Sequence, residues 1–384
     1  MPDSSNLTCC GVCATRLVKN GRTAAGTQRW RCPSCGASAV RKRPDLSRRH
    51  DLDLFVGWML GKASQSEIDG TATGRSFRRR IRWCWDIVPV LPATGEVFDE
   101  VQLDGFNLRT GWTLLIASVD GKPVAYQWAG SENQAAWSAL LTQLPAPTVV
   151  ISDGASGLKG ALAEHWPDTR IQRCLVHVQR NVRRYVTSRA RTPAGKGLWG
   201  LALKLTRVKD RDAMDAWLLL LSQWEAEFLH LTKQRTYASS GALRPAWARP
   251  GQTWWFTHQR LRSGHQVLQR LIKAGHLFTF LDPALDEITI ASTTNKIEGA
   301  INSPLRDLLR RHRGLSEHHQ KRALEWWLYT HCPATGTPAV VLHNTANDPI
   351  NKDEIDEIDK PVLYGTALTA EEGLWSRSGR TRGR

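Results

Sequence analysis

The residues best suited to chemistry fall into two sets. Cys10-x2-Cys13 and Cys32-x2-Cys35 are separated by 18 residues. Four thiolates paired in this way suit the tetrahedral coordination of one structural Zn²⁺. The expected unit is a zinc ribbon with a strand through Arg29-Trp30-Arg31 and with Gly11 and Gly36 easing the turns. Cys9 would give an x3 spacing, so Cys10 is the expected ligand. The second set is acidic: Asp104-Gly105, Asp153-Gly154 and Glu298-Gly299. Carboxylates from separate elements can hold two Mg²⁺ (or Mn²⁺) ions about 3.5–4 Å apart in one active site. One ion would sharpen an attacking water or 3′-hydroxyl, and the other would stabilise the leaving oxygen. Glycine after each acid would admit a phosphate backbone. Alone, an Asp-Gly pair more often marks a turn, as at Asp69-Gly70 and Asp120-Gly121.

The elements around these acids are readable. Val97–Leu108, Trp112–Val119 and Val124–Trp128 are runs of strand type, joined by turn sequences that suit hairpins. A helix follows over Asn133–Leu144, with Ala136, Leu140, Leu141 and Leu144 on one stripe. Thr148–Ser152 is then an apolar, β-branched run of the buried-strand kind. The order β-β-β-α-β matches the first half of a ribonuclease-H-like fold. There the first and fourth strands are neighbours, so Asp104 and Asp153 would face each other. Ser292-Thr293-Thr294 offers caps for a helix carrying Glu298. Asn295, three residues earlier on the same face, is the candidate active-site support.

Upstream, Leu52, Phe55, Val56, Met59 and Leu60 recur at helical spacing, and Ser64 with Glu67 has the spacing of a capping box. A third helix from near Thr73 would carry Phe77, Ile81 and Trp85 on one face. Arg75, Arg78, Arg79, Arg80 and Arg82 lie on its other faces. Three short helices ending in an arginine-rich one fit a helix-turn-helix with its last helix in the major groove. The competing reading is a solvated basic face. Met1–Trp85 holds 16 Lys/Arg against 6 Asp/Glu, well over half of the chain's net charge of +16. Such a field attracts polyanions. No apolar run approaches the roughly 18 residues of a membrane-spanning helix, and the first residues show no signal peptide. Eight Cys without a secretory signal favour a reducing compartment.

LDGFNL, ISDGASGLKGAL, RCLVHVQRNV, STTNKIEG and RRHRGLS, in that order, resemble the mutator-related bacterial insertion-sequence transposases, and more narrowly those with an N-terminal zinc ribbon. The resemblance implies an Asp-Asp-Glu catalytic triad at Asp104, Asp153 and Glu298, which would also be the Mg²⁺ ligands. It also maps a Cys-x2-His structural motif onto Cys174 and His177. A buried packing and hydrogen-bonding role suits that pair better than a second metal site.

The expected architecture is multidomain α+β. A zinc ribbon (1–44) and a helix-turn-helix DNA-binding domain (45–92) precede a ribonuclease-H-like α/β catalytic domain (93–195 and 286–335). An all-helical insertion (196–285) interrupts that domain, and a largely disordered tail (336–384) follows it. Arg75, Arg78, Arg79, Arg82, Arg306 and Arg310 are candidate DNA contacts. So is Trp255, which would stack on an unpaired base, against core packing as the plainer role for one of 17 Trp. The implied partners are double-stranded DNA (terminal inverted repeats and target DNA) and further copies of the chain, as a homodimer or higher oligomer on DNA. The implied location is the bacterial cytoplasm, at the nucleoid, with no membrane. The alternatives are a ribonuclease-H-like nuclease or resolvase and a non-catalytic DNA-binding regulator.

Overall fold

The computed structural model describes residues 9–10, 13–24, 26–40, 44–70 and 73–347. Gly11 and the segment 348–384, with its acidic run and basic end, lie outside these. The described residues divide into two compact units: those within Met1–Pro92 and Leu305–Asp356 form one, and those within Ala93–Pro304 the other.

The first unit opens with a three-stranded antiparallel sheet of β1 (Val18–Arg22), β2 (Gln28–Arg31) and β3 (Ser38–Val40). Helices α1 (Pro44–Leu60), α2 (Gln65–Asp69) and α3 (Arg75–Ile81) follow. Ser64 Oγ accepts from the Glu67 amide at 3.2 Å while Glu67 returns to the Ser64 amide, completing the capping box. Gly70 ends α2 with φ +64, a conformation a Cβ would oppose. The core of these helices is aromatic: Phe55 meets Trp85 edge-on at 4.7 Å between centroids, and Trp58 meets Phe77 at 5.7 Å.

Residues 305–335, expected with the catalytic domain, belong to this first unit. Helix α12 (Glu317–His331) brings Trp326 within 6.4 Å of the Phe55 ring and stacks His319 on Trp85 at 4.1 Å. Arg322 is almost fully buried; it donates to the Trp85 carbonyl at 3.1 Å and pairs with Glu325 at 2.5 Å. A last helix (Pro338–Asn347) stands where the tail was expected to begin, and it buries Ala339 and Val341.

The second unit is built on a five-stranded sheet of order β6-β5-β4-β7-β8. Strands β4 (Glu100–Asn107), β5 (Thr113–Val119) and β6 (Lys122–Ala129) form an antiparallel meander. Asp120 and Gly121 turn β5 into β6, both with positive φ, as a two-residue hairpin turn requires. Strands β7 (Val149–Ser152) and β8 (Arg170–Arg173) continue the sheet in parallel with β4. Helices α4 (Gln134–Leu141) and α5 (Ser156–His165) cover one face, where Trp137, Leu140 and Leu158 pack on Val101, Leu103, Leu115 and Val150. On the other face Val149 and Ile151 meet Leu285 and Ile290.

Helices α6 (Leu175–Val186), α7 (Pro193–Leu205), α8 (Arg211–Lys233) and α9 (Gln259–Lys273) share a core around Val178, Leu198, Trp217 and Leu268. The all-helical insertion needs correction, because β9 (Arg235–Tyr237) pairs antiparallel with β10 (Trp254–Phe256). β-Branched and aromatic residues face each other there, with Thr236 opposite Trp255. The chain then passes through α10 (Asn295–Ile297), a π-helical turn over Glu298–Asn302, and α11 (Ser303–Arg311). Pro304 has no amide to return to the Ala300 carbonyl, and its ring would crowd that oxygen. The wider turn just before it relieves both problems.

Candidate active site

Alternation along β4 turns Val101 and Leu103 toward α4 and α5, and Glu100, Gln102 and Asp104 to the opposite face. The parallel register sets Gln102 beside Ile151 and Leu103 beside Ser152. Asp153 comes directly after Ser152 at the end of β7, near enough for its charge to act on Asp104.

These three polar residues of β4 hold the segment that carries Glu298. Glu100 Oε2 accepts from the Ala291 amide at 2.6 Å, and Gln102 Oε1 accepts from the Ile297 amide at 3.4 Å. Asp104 Oδ2 accepts from Asn302 Nδ2 at 2.8 Å, while its Oδ1 accepts from the Gly105 amide at 2.9 Å. A fourth tie comes from α6, where the Thr294 amide and hydroxyl each lie 3.3 Å from Cys174 Sγ. These bonds bracket Glu298 on both sides.

The result is an excess of negative charge in a partly dry site. Burial pushes the Asp104 carboxyl up to about 7; repulsion from Glu298 and Asp153 adds to this, against the Gly105 hydrogen bond and the nearby His177. Glu132 is a fourth acid here, raised by burial and by Asp153, with Asn107 Nδ2 3.4 Å from its Oε1. Arg173 supplies the facing cation: its guanidinium donates to the Asp153 carbonyl and lies where a Cβ on Gly154 would be. Burial pushes Cys174 up, but hydrogen bonds with His177 and Thr294 outweigh it and draw the thiol down to about 7. The thiol in turn raises His177.

The glycines after the acids have separate meanings. Gly154 has φ +79 and packs under Arg173. A Cβ on Gly105 would come within 2.4 Å of Glu132 Oε1. Only Gly299 of the three faces open space.

Sequence reading missed Asn302, Glu132 and Arg173. Asn302 lies four residues after Glu298 and is buried, whereas Asn295, the expected support, is exposed. Arg173 directly precedes Cys174 in the motif segment, which was a usable signal. Arg75, Arg78, Arg79, Arg82, Arg306 and Arg310 are all exposed, with Arg78 bonded to Gln65 and Arg310 paired to Asp307. Trp255 is 4% exposed, so its ring serves the core and offers no face to a base.

The four cysteines come together. Cys10 and Cys35 sulfurs are 3.5 Å apart, Cys13 and Cys32 sulfurs 3.3 Å apart, and all four lie within 4.8 Å of one another. Thiolates at 2.3 Å around one Zn²⁺ stand about 3.8 Å apart, so the set fits that ion. Two matching turns build it: the Ala14 amide donates to the Cys10 carbonyl and the Gly36 amide to the Cys32 carbonyl, with φ +56 at Ala14 and +72 at Gly36. Cys9 is not one of the four, and its backbone forms a bridge with Arg16. Among the described residues no group of carboxylates or histidines is gathered as tightly. Among them, too, no helix is long and apolar enough to cross a membrane.

The family model described as "Transposase, Mutator family" matches residues 118–198, a stretch that includes Asp153, Arg173, Cys174 and His177. Over 64 residues the chain is 36% identical to the transposase for insertion sequence element IS905 of Lactococcus lactis subsp. lactis (strain IL1403), covering 15% of this chain and 16% of that protein. It is 39% identical over 64 residues to the transposase for insertion sequence element IS1201 of Lactobacillus helveticus, covering 15% and 17%. The alignments thus span about a sixth of each relative's length.

Proposed function

We propose that the chain is a Mutator-family insertion-sequence transposase and that Asp104, Asp153 and Glu298 form a centre that cleaves DNA strands and transfers them to a target. The observation that supports this reading is the neighbourhood of Asp104 on β4, where burial and the charges of Glu298 and Asp153 push its carboxyl up to about 7. A half-buried group of carboxylates facing one guanidinium and one imidazole lacks positive charge, and its hard oxygen donors suit Mg²⁺ or Mn²⁺. Two such ions, when bound, supply the Lewis acidity for an in-line displacement at phosphorus.

The protein's own part is positional. Asn302 and the Gly105 amide each hold one oxygen of Asp104 and so fix its carboxylate relative to the turn that carries Glu298. Arg173 offers a donor to a phosphate entering beside Asp153; its Nε is buried without a partner among the described residues. The order β6-β5-β4-β7-β8, three antiparallel strands continued by two parallel ones, supports a ribonuclease-H-like reading of this unit. The four-cysteine ribbon and the arginine-bearing α3 would grip double-stranded DNA at the element's terminal inverted repeats. A homodimer or higher oligomer acting at the bacterial nucleoid is part of the same reading.

A nuclease or resolvase would share the centre, and a DNA-binding regulator would share only the ribbon and helices. The full-length protein, duplexes ending in the element's terminal repeats, Mg²⁺ and a supercoiled plasmid separate the three. A transposase yields joined product that Glu298→Gln abolishes; cutting without joining marks a nuclease, and binding alone a regulator.

A further inference from the structure

The helical layer of the second unit contains a cleft of about 550 Å³ between the end of α6, the start of α7 and the approach to α9. Trp247 and Tyr185 line it and are 54% and 37% exposed, so two aromatic rings present surface to the cleft. Arg189 and Arg191 line it too, both exposed, and among the described residues no Asp or Glu does. Trp255 forms part of its wall with the ring covered. The rim is braced: Arg260 donates to the Tyr185 and Arg184 carbonyls at 2.7 and 2.9 Å. Thr187 sits there at φ +61, a strained conformation for a β-branched residue, of the kind that collects at ligand sites.

We propose that this cleft holds an unpaired nucleotide at a DNA end, its base on Trp247 and its phosphates on Arg189 and Arg191. An aromatic face with flanking guanidiniums and no opposing carboxylate matches a single strand, whose bases are free to stack. A duplex hides its base faces and leaves Trp247 nothing to stack on. An acidic peptide would satisfy the arginines but not the exposed indole. The volume admits one nucleotide and no folded partner.

The inference stands on these residues and not on the chemistry at Asp104. Its test therefore adds no divalent metal and scores no product, so a chain unable to join DNA still answers it. Full-length protein is titrated against a labelled duplex with a five-thymidine 3′ overhang and against the blunt duplex, following anisotropy. Trp247→Ala should weaken overhang binding about tenfold, Trp247→Phe should restore most of it, and blunt binding should hold. Arg189→Ala with Arg191→Ala should reduce the salt slope for the overhang by about 0.7 per lost phosphate contact. Wild-type overhang affinity in Trp247→Ala overturns the proposal. So does an equal loss on the blunt duplex, or a Phe variant as weak as the Ala variant.

Discussion

Asn302 Nδ2 donates to Asp104 Oδ2 at 2.8 Å, a bond between a helical turn and the central strand across 198 positions of sequence. Both residues are buried, and the bond spans the turn that begins with Glu298. It ties the position of one acid to that of another. Removing the amide leaves a buried carboxylate short of a donor, at about 1.5–3 kcal/mol. Asn302→Ala should therefore lower the melting temperature and raise the Mg²⁺ concentration needed for activity, while the exposed Asn295→Ala does neither. Equal behaviour of the two variants would remove Asn302 from the site.

The pH dependence follows from Asp104. Its folded value, about 7, lies above the ordinary 3.8, so the metal-free fold favours the protonated acid. The stability this contributes is present in full below about 4 and is lost as pH rises through 7. Melting temperatures without divalent metal should fall between pH 5 and pH 8 in the wild type. The fall should be smaller in Asp104→Asn, and Mg²⁺ should reverse part of it at pH 8. Parallel curves for the two proteins would contradict this assignment.

Much of this was legible in the sequence, for physical reasons. Runs of strand type and the Asp120-Gly121 turn marked the meander, and the apolar run before Asp153 marked a buried strand. The paired CxxC spacing marked the metal site. What stayed hidden depends on tertiary placement. Asn302 on a helix reads as a surface residue until β4 lies against it. The β9 and β10 strands have three residues each, too few for a period, and Pro and Gly crowd the stretch between them. Nothing in the sequence around Trp326 and His319 says that their partners are Phe55 and Trp85. The glycine after each acid suggested one shared purpose, whereas Gly154 and Gly105 each answer to a local neighbour.

Gly154 and Gly299 make a matched pair for testing that last point. Gly154→Ala meets both a positive φ and the Arg173 guanidinium, so it should cost about 2–4 kcal/mol of stability and displace the cation beside Asp153. Gly299→Ala meets nothing within 4 Å and should fold normally. Chemical denaturation of the two variants checks the difference.

The ribbon makes a prediction about stoichiometry. Full-length protein purified under reducing conditions should hold one Zn²⁺ per chain by elemental analysis. Cys10→Ser should lose it and Cys9→Ser should keep it, since only Cys10 lies within reach of the other three sulfurs. Zinc retained in Cys10→Ser would move the ligand set.

Strand joining by amide variants tests the central claim most directly. Asp104→Asn, Asp153→Asn and Glu298→Gln keep side-chain shape and remove charge, so each should lower the rate of cleavage and joining at least about 10³-fold while binding of terminal-repeat DNA persists. Asp99→Asn, an exposed acid before β4, should stay active. A Glu298→Gln protein that joins DNA ends at the wild-type rate would contradict the account.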